Sequence, residues 1–415
     1  MRFFAAFVIL MLACGGEPPS PHKPAPAAET PATPKKGRDT QERGNLLNIA
    51  LGASVVSRTA ELTLDQSALR AIDGDEESAW NSPPDDSKQT IVFALPGLTH
   101  VEKVGLKTPR APVFRVSAIQ VDSSIDGVNF TSLATLHSPA PAVKREFAAP
   151  AADEVHLFAV TPRDIVFLRV TILEAGGHFA RLESVQVRGR AVETPKQQPI
   201  DGCWSINGFP SSFATDRGRT IGTIGGDHPV SFDGATDGTV YRFVWTSGPD
   251  YGFGAIDTAP DGKHLSGLRW YVEPIEFASA ESWFGERGKC GAAIDREDVP
   301  RRFLQRAGRL PLYGLRFDAN GSLNEIESAA TLEDLATLAR DKRHRLVSRE
   351  FRMENAAANL KAAQKRLDSL RAALQKRGVD PARFDWQAIG NDSPPRPIET
   401  EIQRVLYGVI ELQSL

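Results

Sequence analysis

Four tryptophans, Trp204, Trp245, Trp270 and Trp283, fall within one β-rich stretch, where an indole face can stack on a sugar ring or turn inward to fill a small core. The carboxylates among them, Asp257, Asp261, Glu273, Glu276 and Glu286, show no recognisable acid/base pair, and separation in space decides such a pair. The eight histidines (His22, His100, His137, His156, His178, His228, His264 and His344) are scattered, without a metal-binding pair. There is no Gly-rich phosphate loop with its Lys and no Gly-x-Ser-x-Gly elbow. The chemistry on offer is recognition, and the chain reads as a binding protein rather than an enzyme.

The N-terminus sets the compartment. Met1-Arg2 precedes an apolar run from Phe3 to Ala13, the length of a signal-peptide core and shorter than the ~20 residues of a spanning helix. Leu10-Met11-Leu12-Ala13-Cys14 resembles a bacterial lipobox, with Met11 where Leu is common. This implies removal of residues 1–13 and lipidation of Cys14, two or more acyl chains giving a stable anchor. Gly15, rather than Asp, follows the cysteine, which by resemblance to Gram-negative lipoproteins implies the outer membrane, facing the periplasm or the cell surface. Residues 14–43 are rich in Pro and Ala without hydrophobic periodicity, the composition of an extended tether. In an oxidising compartment Cys203 and Cys290 invite one disulfide, worth about 4 kcal/mol by loop closure; two buried thiols are the alternative. The net charge of −3 is mixed, so no nucleic-acid partner is expected.

These residues must be positioned by about 370 further residues, enough for two or three domains. Residues 44–190 alternate short β-branched runs, such as Ile91 to Leu95, Val116 to Val121, Val155 to Val160 and Val166 to Ile172, with Asp/Gly/Pro/Ser turns. That pattern predicts an all-β sandwich. Asn45 to Val55, Ala71-Ile72-Asp73-Gly74-Asp75 through Trp80, Asp122 to Phe130 and Ala180 to Gly189 resemble the factor V/VIII type C, or discoidin-like, family of galactose-binding-like jelly rolls. The resemblance implies a structural calcium held by Asp73, Asp75, Ser78 and Glu183, since calcium takes six to eight oxygen ligands. The alternative is an ion-free Asx-type turn around Gly74. It also implies a glycan or other surface ligand at loops on one end, where Phe114, Arg110, Arg115, His178 and Phe179 are the candidates.

Residues 198–295 form a second β-rich region of no identified family. Asp233-Gly234, Asp237-Gly238 and Asp261-Gly262 punctuate aromatic runs, which predicts a small antiparallel sheet or partial barrel.

In residues 305–415 the pattern changes to strand (Gly314 to Asp318), helix (Ala330 to Arg340), strand (Arg345 to Phe351), long helix (Met353 to Arg377) and last strand (Val405 to Leu412). That order is a two-layer α/β sandwich. Phe317 to Ser322, Asn359, Arg366, Gly378 to Phe384 and Gln403-Arg404-Val405 resemble the OmpA-like peptidoglycan-binding domain. The resemblance makes Arg366 the grip on a stem-peptide carboxylate, a task suited to a planar guanidinium. Phe351 stands where that family has the partner Asp, with Glu350 or Glu354 as the neighbouring carboxylates. The expected whole is a multidomain envelope lipoprotein that tethers or binds cell-wall or surface glycans without catalysis. One alternative is a protein-interaction scaffold with a degenerate OmpA-like domain, and another is an envelope glycan hydrolase.

Overall fold

A computed structural model describes residues 44–75, 77–109, 111–138, 155–193, 196–272, 280–291, 293–294, 298–351, 355–392, 398 and 400–415. The signal segment, Cys14, the tether, Arg110, Glu273, Glu276 and Glu354 lie outside them. Among the described residues no helix is long and apolar enough to cross a membrane.

The first module holds β1 (Ser54–Arg58), β2 (Trp80–Asn81), β3 (Thr90–Lys107), β4 (Val116–Ser124), β5 (Thr131–His137), β6 (His156–Ala175), β7 (Arg181–Leu182) and β8 (Ser184–Ala191). Strands β1-β3-β6-β4-β5 form one antiparallel path, with β8 also on β3, and β2 pairs with β7. β3 and β6 are much longer than an ordinary strand. The register of β3 shifts between Ala94 and Thr99, so its first part pairs with β1 and its second with β8. Inward residues such as Phe93, Leu95, Leu106, Leu168 and Val187 are buried, the alternation that places one face on a core.

The second region departs from the expected sheet or partial barrel: it is a closed one. Strands β9 (Gly202–Ile206), β10 (Phe209–Asp216), β11 (Arg219–Ile224), β12 (Val230–Thr236), β13 (Tyr241–Ser247), β14 (Asp250–Thr258), β15 (His264–Tyr271) and β16 (Glu281–Arg287) meander antiparallel. Closure comes from β16 returning to β9, with Gly285 opposite Ile206 and Arg287 opposite Trp204. Eight strands leave an interior that side chains can fill. Trp204, Trp245 and Trp283 fill it with Phe213, Phe232 and Phe243. Gly252 and Gly254 make room, since a Cβ at either would approach within 2.7 Å of Trp245 or 2.6 Å of Phe243. Trp270 faces outward into the neighbouring core, stacked on Phe253. Cys203 and Cys290 are bonded, with Cα atoms 4.8 Å apart.

The third part carries α1 (Val299–Ala307), β17 (Arg309–Pro311), α2 (Ala329–Asp341), β18 (His344–Arg349), α3 (Ala356–Lys376), β19 (Phe384–Gly390), α4 (Glu401–Tyr407) and β20 (Ile410–Ser414). The sheet order is β17-β20-β18-β19, with β18 and β19 parallel across α3. α3 buries Ala363, Leu367, Leu370 and Leu374 at spacings of three and four, whereas Leu360 stays exposed. Gly378, at φ +75°, follows its end, and the Val379 N–H donates to Leu374 O, closing the helix as expected. Three expectations change. The edge strand is Arg309–Pro311, while Gly314 to Asp318 is irregular apart from a bridge of Phe317 to Leu323. The expected strand Val405 to Leu412 begins as helix, because Thr400 and Gln403 form a capping box that starts α4. β19 and α1 were not anticipated.

The modules share a continuous core, and the described residues from 44 onward belong to one compact unit. Val55 N–H donates to Ser266 Oγ (2.9 Å), Arg58 stacks 3.4 Å over Phe284, and Arg242 Nη1 donates to Val405 O (3.0 Å).

Candidate functional site

The loop residues proposed for the sandwich end come together. A short 3-10 turn, Pro112–Phe114, leads into β4, and residues 176–180 link β6 to β7. The loops touch where Gly177 lies: a Cβ there would sit 2.5 Å from Val113 O. Phe114 and Phe179 meet at 6.1 Å between ring centroids, tilted by 47°, and Phe114 is 40% exposed. The tilt sets the two rings as an aromatic corner at the surface, of the kind that packs against an apolar sugar face.

Polar groups flank this pair. His178 Nδ1 is bonded to Asp85, and both side chains are exposed. Asp85 also donates its backbone N–H to His178 O (2.8 Å) from a left-handed backbone, φ +59°. That conformation is uncommon for a residue with a side chain and here is over-determined by two bonds to one partner. Ser82 anchors the same loop by accepting from Ala180 N–H (2.9 Å). Arg115 is buried beneath, its Nη2 donating to Ser138 Oγ (3.2 Å), while its Nε has no partner among the described residues. Burial lowers the Arg115 pKa. Asp85 was missed at the sequence level, although Pro-Asp-Asp before a strand is a turn signal.

The loop expected to hold calcium is built differently. Arg70 Nη1 meets Asp73 Oδ2 at 2.9 Å, with both side chains buried. Ser78 Oγ lies 2.9 Å from Asp73 Oδ1 and from Arg70 O, and Asp75 N–H donates to Asp73 Oδ1 (2.9 Å). Burial outweighs Arg70 and raises the Asp73 carboxyl to about 7. Asp75 Oδ1 caps Glu77 N–H, and Glu183 faces Lys107 at 3.9 Å and Arg181 at 3.7 Å. Among the described residues no group of three or more His, Cys, Asp or Glu is placed to hold a metal ion. Two of the carboxylates offered to a cation thus face cationic side chains, so these donors do not fit calcium. The i,i+3 spacing of Arg70 and Asp73 was the available signal.

Arg366 is also engaged from within. Its Nη2 pairs with Glu350 at 2.5 Å, its Nη1 donates to Gly408 O (3.3 Å), and its guanidinium lies 5.6 Å from the Phe317 ring. Glu350 is 1% exposed and also accepts from Phe351 N–H (2.9 Å). Phe351 packs on the core in the place the resemblance gives to Asp. The adjoining cavity is about 110 Å³, below the ~300 Å³ at which small-molecule pockets usually begin.

Residues 54–184 match the F5/8 type C domain family. No curated protein matches the chain. Among solved structures, the CBM32-3 module of a family 31 glycoside hydrolase from Clostridium perfringens is 19% identical, covering 36% of this chain and 98% of its own, with TM-score 0.31. The C-terminal domain of a chitobiase from Bacteroides fragilis is 19% identical over 34% and 96%, TM-score 0.30. A family 32 carbohydrate-binding module from C. perfringens in complex with galactose is 18% identical over 32% and 98%, TM-score 0.26. It is thus the sandwich, over residues 54–184, that carries the match to the F5/8 type C domain family.

Proposed function

We propose that this chain binds a carbohydrate of the bacterial envelope through the Phe114–Phe179 end of its sandwich, without cleaving it, while a lipid on Cys14 holds it at the outer membrane. The observation that carries the reading is the pair of touching phenylalanines beside the exposed Asp85–His178 pair. An aromatic platform with flanking donors and acceptors is the chemistry a sugar needs: ring C–H groups against the π face, hydroxyls to the polar rim. The F5/8 type C match of residues 54–184 supports the same reading.

For the C-terminal part a scaffold role is favoured over a grip on peptidoglycan. Its support is Arg366, whose fork is taken by Glu350 and Gly408. Co-sedimentation with purified sacculi separates the two roles: a scaffold leaves binding unchanged in Arg366→Ala, and loss of binding in that variant would restore the peptidoglycan reading. The glycan reading is tested by titrating the mature chain with galactose, N-acetylgalactosamine and sacculus fragments. Saturable binding without new reducing ends is expected; release of product would make the chain a hydrolase.

A further inference from the structure

We infer that the end of the β9–β16 barrel lined by Phe209, Trp283 and Glu281 binds a small, mainly apolar molecule bearing one hydroxyl. The barrel has two unlike ends. At one, residues 199–201 close the bore: Trp204 Nε1 donates to Ile200 O (2.7 Å), Ile200 N–H to Tyr241 OH (3.2 Å), and Arg287 Nη2 to Pro199 O (2.7 Å). At the other, a cavity of about 430 Å³ lies among Ile206, Phe209, Ile224, Val230 and Trp283, with Leu64 reaching over from the sandwich. That volume falls within the ~300–1,000 Å³ of small-molecule pockets, and barrel mouths are a recurrent place for them. Phe209 is 49% exposed there, a large apolar side chain without a cover among the described residues.

The best-ordered polar group in the cavity is built around Arg269. Arg269 points into the bore with its guanidinium 5.0 Å from the Trp245 ring, 5.4 Å from Tyr271 and 5.2 Å from Trp283. Its Nε donates to Glu281 Oε2 (2.8 Å), and Tyr271 OH donates to Glu281 Oε1 (3.2 Å). The arginine is thereby fixed and shielded, while the Glu281 side chain, 38% exposed, stays in reach of a ligand donor. Asp227, His228 and Asn207 also line the cavity, so two carboxylates stand there against one arginine. A hydroxyl can donate to Glu281, whereas a carboxylate would meet like charge. The class that fits is an alkyl or aryl alcohol.

The test uses 1-N-phenylnaphthylamine as fluorescent probe on the mature chain, with 1-decanol and decanoate as competitors. Saturable probe binding is expected, with decanol displacing it at concentrations at least ~10-fold lower than decanoate. Leu64→Trp, which fills the mouth, and Phe209→Ala are expected to weaken the probe about tenfold or more; both positions are partly exposed, so melting temperatures should stay near wild type. Absence of probe binding, or unchanged binding in both folded variants, would overturn the site. Equal displacement by decanol and decanoate would overturn the hydroxyl assignment.

Discussion

The sandwich end and the Arg366 pocket present similar inventories, each with aromatic rings, an arginine and a carboxylate, yet they are arranged oppositely. At the sandwich end the Asp85–His178 pair and the rings of Phe114 and Phe179 reach the surface. In the C-terminal domain the corresponding groups turn on one another, Arg366 against a fully buried Glu350 and over Phe317. The Arg70–Asp73 pair belongs with the second kind. Residue type nominates a site, but the presence of an internal partner decides whether a ligand has anything left to satisfy. Groups of the first kind should govern binding and groups of the second kind stability.

The largest effect is expected at Arg70. Above pH 7, where its carboxyl is ionised, Arg70→Met would leave the buried Asp73 without its guanidinium and cost about 3–5 kcal/mol, read from urea denaturation. The pH profile sharpens this. Folding raises the Asp73 carboxyl from 3.8 to about 7, so between those values the folded chain keeps a proton that the unfolded chain has released. The resulting stabilisation is full below about pH 4 and is lost as pH rises through about 7. Asp73→Asn should therefore flatten the decline in melting temperature across that window.

Arg366→Ala comes next, at about 2–3 kcal/mol, less than a fully enclosed pair because Arg366 is 19% exposed. Sugar affinity at the sandwich end should not move in that variant; if it does, the contrast between the two regions is broken. His178→Ala should act the other way, weakening sugar binding a few-fold in calorimetry with little change in melting temperature. The smallest effect is expected from calcium: millimolar calcium or a chelator should shift the melting temperature by less than about 1 °C. A larger rise with calcium would contradict the role given to Arg70.

What was legible in the sequence follows from the range of the interactions. The sandwich showed in Asp73-Gly74 and in the alternation of Val116 to Val121, and α3 in its leucine spacing and Gly378; these are local signals. Barrel closure was hidden because Arg287 meets Trp204 across the whole module, a pairing without a local trace. β19 was missed for a similar reason, since Phe384 to Gly390 becomes a strand by lying parallel to β18 after α3. At the sites, Phe114, Arg115, His178 and Phe179 were nominated by type. The pairing of Arg366 with Glu350 depends on how α3 crosses the end of β18, which sequence spacing alone does not encode.

The most direct test of the central claim is calorimetric titration of the mature chain and of its Phe114→Ala/Phe179→Ala variant with the sugar that binds best. The account predicts measurable binding by the wild type and a loss of about tenfold or more, roughly 1.4 kcal/mol, in the variant with its fold intact. Undiminished affinity in the folded variant would contradict it and move the sugar site away from this end of the sandwich.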